Sequence, residues 1–220
     1  MKYLAPAVWR LDERPRPIIN VYLAEDVLID AGRNWDAGRI RKQLSGRSIS
    51  MLALTHVHPD HQGSAKVICE EREIPLACHE ADVDAMEGRR PVRATDRPGA
   101  RFFARLWQGP PHSVDRVLTE GDEVAGFRTI HAPGHAPGEV IFWRESDRVA
   151  ICGDVIRNIS YLTLRSRLDE PPADLTPDPA ENRRSIRKLA ELNPSLILPG
   201  HGPAVTDMAA FERFVATLEG

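Results

Sequence analysis

The chain is poor in cysteine, has no surplus of positive charge and contains no long hydrophobic run. Its three cysteines, Cys69, Cys78 and Cys152, are odd in number and form no Cys-x-x-Cys pair. A disulfide framework and a cysteine-based zinc site are thereby excluded, and buried, reduced thiols are expected. Lys and Arg number 29 against 32 Asp and Glu, a net charge of −3, so no chain-wide basic field exists to hold nucleic-acid phosphates. Apolar runs are short, as in Met51-Leu52-Ala53-Leu54, and none is long enough to span a bilayer. The N-terminal segment is interrupted by Pro6 and followed by Arg10, Asp12, Glu13 and Arg14, which does not read as a secretory leader. A cytoplasmic location is the default expectation. What is present is ordinary globular material: 220 residues, 42% hydrophobic and 28% charged, enough to bury a core without disulfides. No Gly/Ser linker divides it, so a single domain over residues 1–220 is expected.

Residues 18–23 and 27–30 predict a hairpin turning at Ala24-Glu25-Asp26. Asn34 is placed to cap a helix through about Leu44, with Ala37, Ile40 and Leu44 on one face. A buried strand is expected over 50–55, a helix over 63–72 and a short strand over 76–78. Further strands are expected over 117–124, 128–131, 140–143, 149–152 and 196–198. Asp178-Pro179 reads as a helix start with Ile186, Leu189 and Leu192 inward, and Asp207 as the cap of a last helix burying Phe211, Phe214, Val215 and Leu218. Two proline-rich stretches, 87–115 and 159–179, fit neither period and read as pocket walls, lids or plain surface excursions. The first holds a possible short helix with Phe102, Phe103, Leu106 and Trp107.

The informative segment is His56-Val57-His58-Pro59-Asp60-His61, three imidazoles and a carboxylate directly after an apolar strand. Imidazole nitrogen and carboxylate oxygen are the ligands that borderline cations such as zinc prefer. Period-two alternation lets His56 and His58 point the same way, while Asp60 and His61 come from the turn into the next helix and face a displaced point. One tight loop thus has the means to serve two metals. Three further apolar strands end in a potential ligand: His135 after Pro133-Gly134, Asp154 after Gly153, and His201 after Pro199-Gly200. If these strands run alike, their loops gather at one sheet edge, where open sheets hold ligands. His131 reads as packed or as support for the ligands, His79 as a strand-end residue, and His112 as a loop residue without a role.

At these residues the sequence resembles the metallo-β-lactamase superfamily, and the glyoxalase II-like hydrolases in particular. The hairpin Asn20-Val21-Tyr22-Leu23 through Leu28-Ile29-Asp30-Ala31-Gly32 resembles the family's opening, and the likeness spans about residues 18–205. It implies an α+β four-layer αβ/βα sandwich of two mixed sheets flanked by helices. It also implies that His56, His58 and His135 hold one metal, that Asp60, His61 and His201 hold a second, and that Asp154 bridges them. The cofactor expected is two divalent ions, zinc, with iron or manganese as alternatives. A water shared by such a pair, ionised near neutral pH, would cleave an ester, thioester or lactone of a small-molecule substrate, with Asp60 orienting it and moving its proton. Arg157 and Tyr161 are the candidate substrate contacts. The chain departs from the periplasmic β-lactamases, which place a cysteine ligand where Asp154 stands. It departs from hydroxyacylglutathione hydrolases in lacking a helical extension after His201. It also lacks the tyrosine found close after the bridging aspartate of homoserine-lactone hydrolases.

The alternative activity is that of a mononuclear iron persulfide dioxygenase of the same superfamily. A nuclease would have to rely on Arg89-Arg90 and Arg183-Arg184, which read as solvated faces. No nucleic-acid or membrane partner is expected; a homodimer is compatible with the sequence.

Overall fold

Successive residues of a strand face opposite ways, and in most strands of this chain both ways lead to apolar neighbours. That pattern demands a layer on each face of each sheet. The computed structural model describes residues 1–13, 18–92 and 98–218, apart from the side chains of residues 98–101 and 103. Phe103 therefore falls outside the described side chains.

The first sheet contains β1 (Lys2–Ala5), β2 (Val8–Arg10), β3 (Tyr22–Ala24), β4 (Val27–Ile29), β5 (Met51–Ala53), β6 (Leu76–His79) and β7 (Arg116–Leu118), in that spatial order. Its first four strands are antiparallel and its last four parallel. The second sheet holds β8 (Glu123–Val124), β9 (Phe127–His131), β10 (Val140–Arg144), β11 (Val149–Gly153) and β14 (Leu196–Pro199), in the order β14-β11-β10-β9-β8. A small ribbon pairs β12 (Arg157–Asn158) with β13 (Leu168–Asp169). The helices are α1 (Ala37–Gln43), α2 (Pro59–Gln62), α3 (Ala65–Arg72), α4 (Val83–Met86), α5 (Pro98–Trp107), α6 (Pro179–Glu191) and α7 (Met208–Ala216).

Leu23, Leu28 and Leu52 pack beneath Ile40, Leu44 and Ile68 of the α1/α3 layer. Their strand neighbours Tyr22, Ile29 and Ala53 turn the other way and meet Phe127, Phe142 and Ile151 between the sheets. Ile141, Trp143 and Ile197 face outward again, under Ile186, Leu189 and Phe211 of α6 and α7. The result is helix, sheet, sheet, helix: the α+β sandwich of two mixed sheets that the resemblance implied.

Several boundaries differ from the sequence reading. The expected strand over 117–124 is two strands in different sheets. Asp122 accepts hydrogen bonds from the Thr119 N–H (2.7 Å) and hydroxyl (3.0 Å), and Gly121 sits at φ +91°, so the chain turns there and crosses between sheets. The helix expected over 63–72 is α3, which starts two residues later at Ala65, and a separate short helix, α2, precedes it. Asn34 does not cap α1; its N–H donates to the Trp107 carbonyl, and Asp36 stands at the helix start with its carboxylate engaged by Arg33. The β1–β2 hairpin went unpredicted. Asp178 and Asp207 do cap α6 and α7, accepting from the N–H groups of Glu181 and Ala210. The arginine pairs are neutralised: Arg89 bonds Asp84 and Glu87, Arg183 bonds Glu170, and Arg184 bonds Glu181.

The three thiols are buried and free, as expected. Burial, with Asp115 and Glu70 nearby, pushes Cys69 up to about 12, and burial raises Cys78 and Cys152 as well. A thiol held protonated and out of contact with solvent is a poor nucleophile. Native protein at pH 8 is expected to leave a disulfide-exchange dye unreacted over minutes, and guanidinium to release three equivalents. A fast native equivalent would contradict the burial.

Candidate metal centre

β9 and β11 both run antiparallel to β10, and β11 runs parallel to β14. The three strands therefore point the same way, and their C-terminal loops carry His135, Asp154 and His201 to one edge. The first sheet reaches that edge through β5: the Val140 N–H donates to the Thr55 carbonyl at 2.9 Å, tying the two sheets where the histidine loop begins. His58 is extended (φ −112°, ψ 160°), and Pro59 opens α2 behind it. Proline at a first helical position is already set for the turn, and the turn carries Asp60 and His61 round to the side away from His58.

The side chains converge. His58 Nδ1 lies 3.0 Å from His56 Nε2 and 2.9 Å from His135 Nε2. His201 Nε2 is 3.3 Å from Asp60 Oδ2 and 3.1 Å from Asp154 Oδ2, and the latter oxygen is 3.4 Å from His135 Nε2. Donor atoms of His56, His58 and His135, of His56, His61 and Asp154, and of Asp60, His61 and His201 each lie within 4.8 Å of one another. All seven candidate ligands thus meet in one neighbourhood.

Electrostatics divide them. Burial, followed by the neighbouring imidazoles, pushes His56 well below the usual histidine range and His135 down to about 3. Burial also lowers His58, against the pull of Asp60 and Asp82. These shifts favour the neutral ring, the state that offers a lone pair to a metal. His61 and His201 behave oppositely. Burial lowers both, but Asp154 and Asp30 together outweigh it at His61, and Asp154, Tyr161 and Asp60 together at His201, so both end well above the usual value. Burial raises Asp60 and Asp154, yet the facing histidines carry both carboxyls far down.

Two buried atoms at the centre, His61 Nε2 and Asp154 Oδ1, face each other at 3.5 Å without a hydrogen bond. Buried polar atoms rarely go unpaired. An unpaired imidazole nitrogen beside an unpaired carboxylate oxygen is a donor set for a divalent cation. The residues present fit bound metal.

Residues that sequence reasoning did not single out hold these ligands. Asp30 accepts from the Thr55 N–H (2.8 Å) and hydroxyl (2.9 Å) and contacts His61 Nδ1 (2.9 Å). Glu139, fully buried, accepts from the Asp154 N–H at 2.9 Å and lies 3.3 Å from His56 Nδ1. Burial, then Asp154, raises its carboxyl well above the usual value. Asp82 accepts from the N–H groups of Val57 and Gly138 at 2.9 and 3.1 Å. His201 Nδ1 meets the Ile18 carbonyl at 2.7 Å, and His135 Nδ1 meets the Thr176 hydroxyl at 3.3 Å. Such outer contacts fix ring orientation. Their sequence signal was an acidic residue at the end or start of an apolar strand, Ile29-Asp30 and Glu139-Val140, which alone is weak. Gly200 is required by close approach: a Cβ there would lie 2.2 Å from Asp154 Oδ1 and 2.7 Å from His61 Cε1.

The centre opens into a cavity of about 450 Å³. Tyr161 borders it, its ring 5.8 Å from that of His201. Arg157 does not reach it. Its guanidinium is bonded to the carbonyls of Glu170 and Ile159 and to Asp169 Oδ2, and it lies over the Tyr161 ring, 5.0 Å from its centroid. The two proline-rich stretches are walls of this cavity, the first through Ala104 and Trp107 on α5, the second through Tyr161, Pro172 and Leu175. His131 is outside it, stacked on His79 with ring centroids 4.0 Å apart.

Comparison with known proteins agrees with this arrangement. The profile of the metallo-beta-lactamase superfamily matches residues 14–201. The probable metallo-hydrolase YflN of Bacillus subtilis (strain 168) is 34% identical over 203 residues, covering 82% of this chain and 76% of that protein. Among solved structures, TTHA1623 in a di-iron-bound form superimposes with a TM-score of 0.63 at 31% identity, covering 86% of this chain and 93% of that one. The B3 metallo-beta-lactamase BLEG-1 superimposes with a TM-score of 0.70 at 26% identity, covering 94% and 99%. With the profile spanning most of its length and the ligand-type residues gathered at one edge of the sandwich, the chain belongs to the metallo-beta-lactamase superfamily.

Proposed function

We propose that the chain, acting as a single domain, is a dinuclear metal-dependent hydrolase that cleaves an ester, thioester or lactone bond of a small molecule. In this reading His56, His58 and His135 hold one ion, Asp60, His61 and His201 hold the other, and Asp154 serves both. The observation that carries it is the place of Asp154. Its Oδ2 stands between His135 of one group and His201 of the other, and its unpaired Oδ1 faces His61. A mononuclear site has no need of a carboxylate shared in this way.

Bound ions would supply Lewis acidity and a water whose pKa falls toward about 7. The chain's own residues do the rest. Asp60 borders the cavity with one oxygen toward His201, so its carboxylate is placed to orient the attacking water and pass the proton to the leaving alcohol or thiol. The rings of His56 and His135 are held by Glu139 and Thr176, which limits reorganisation on loading. The ion identity proposed is zinc or iron; the iron option is supported by the di-iron form of TTHA1623.

Elemental analysis of the purified chain should find two metal equivalents. Chelation should abolish hydrolysis of a panel of acyl thioesters, esters and lactones, and added metal should restore it. One iron at saturation, with oxygen uptake on a persulfide and no hydrolysis, would replace this reading with that of a mononuclear dioxygenase.

A further inference from the structure

We propose that the substrate is an uncharged molecule that lays a hydrocarbon acyl or lactone side chain against the wall formed by Ile18, Ile19, Ala104, Trp107 and Leu175. This rests on the hydrolase reading and names the substrate class of the same site. The polar residues bordering the cavity are Tyr161 and members of the metal cluster itself: His58, Asp60, His135, Asp154 and His201. The rest of the lining is apolar, and no Lys or Arg stands among the described lining residues. Arg157, the sequence candidate for gripping a carboxylate or phosphate, is spent on Asp169 and two carbonyls. Among the described lining residues an anionic tail buried here would lose its hydration and meet no basic side chain, a heavy cost.

The segments that wall the cavity also expose apolar side chains: Phe102 (61%) and Leu106 (45%) on α5, and Tyr161 (43%), Leu162 (98%) and Leu164 (39%) on the loop of the second wall. The described lining of the cavity itself is what selects hydrocarbon over charge.

The test uses the metal-loaded protein and ligands that it does not cleave: N-methyl alkanamides of two to ten carbons, followed by titration calorimetry. Affinity should rise about fourfold per added methylene until the wall is filled. A carboxylate at the far end of the octanamide should weaken binding at least about tenfold. In Leu175→Lys the order should reverse, with the carboxylate-tipped ligand gaining and the plain octanamide losing. That gain cannot come from a misfolded variant. A flat chain-length series, or undiminished binding of the carboxylate-tipped ligand to the unmodified chain, would overturn the inference even if short esters are hydrolysed. A steep series without turnover of any octanoyl ester or thioester would sink the hydrolase reading while sustaining the ligand class.

Discussion

In the proposed dinuclear site, Asp154→Ala is expected to cost one ion and to slow hydrolysis by on the order of 10²–10³-fold, the range for loss of one preorganised electrostatic group. The reason is positional. This carboxylate lies 3.1 Å from His201 Nε2 and 3.4 Å from His135 Nε2 through one oxygen, and 3.5 Å from His61 Nε2 through the other. Asp154→Asn keeps the volume and removes the charge, so it should fail nearly as badly, which separates charge from packing. The backbone at this point is held separately, by the Gly200 N–H on the Gly153 carbonyl at 2.6 Å and by the Asp154 N–H on Glu139 at 2.9 Å. The far-ultraviolet circular dichroism of both variants should therefore match the parent. Metal counts and kcat on an acyl thioester are the readouts. Two ions retained with normal turnover would remove Asp154 from the shared role.

The second large effect is expected at Glu139. Its carboxyl reaches the Asp154 N–H with one oxygen and His56 Nδ1 with the other, so it joins the two halves of the centre from behind. Glu139→Ala leaves a buried N–H without a partner, a loss of about 1–3 kcal/mol. It also frees the His56 ring, for which about 10–100-fold weaker metal retention is the usual consequence. Glu139→Gln keeps an acceptor for the Asp154 N–H and should recover most of the stability. Because the amide does not reproduce the contact of a carboxyl oxygen with His56 Nδ1, it should recover only part of the metal affinity. Thermal midpoints of metal-free and metal-loaded protein, together with competition against a chelator, distinguish the roles. If Glu139 were merely a packed core residue, both midpoints would fall equally and chelator competition would not change.

The comparison of expectation with structure is uneven in an instructive way. Six of the candidate ligands lie in segments where the sequence is locally decisive. A histidine two residues from another at a strand end, or one following Pro-Gly, is placed by backbone geometry within a few residues. Arg157 shows the limit of that reasoning. Three residues after Asp154, it is near the centre in sequence, but its guanidinium found carbonyls and Asp169 on the ribbon of β12 and β13 instead of the cavity. The break between β7 and β8 falls in the polar run Thr119-Glu120-Gly121-Asp122-Glu123, a turn signal, but only the packing shows that the chain changes sheets there.

The amino-acid order by itself determined which ligand-type residues follow strand ends, because residue type, strand-end position and apolar alternation are local properties written in consecutive residues; the sandwich and the family followed from the resemblance those residues carry. Only the tertiary structure decided which buried carboxyls stand behind the histidines, where Arg157 spends its charge and how apolar the cavity is. Those depend on residues as far apart as Asp30 and His61, or Ile18 and His201, and such meetings are set by the packing of the two sheets and the helices over them.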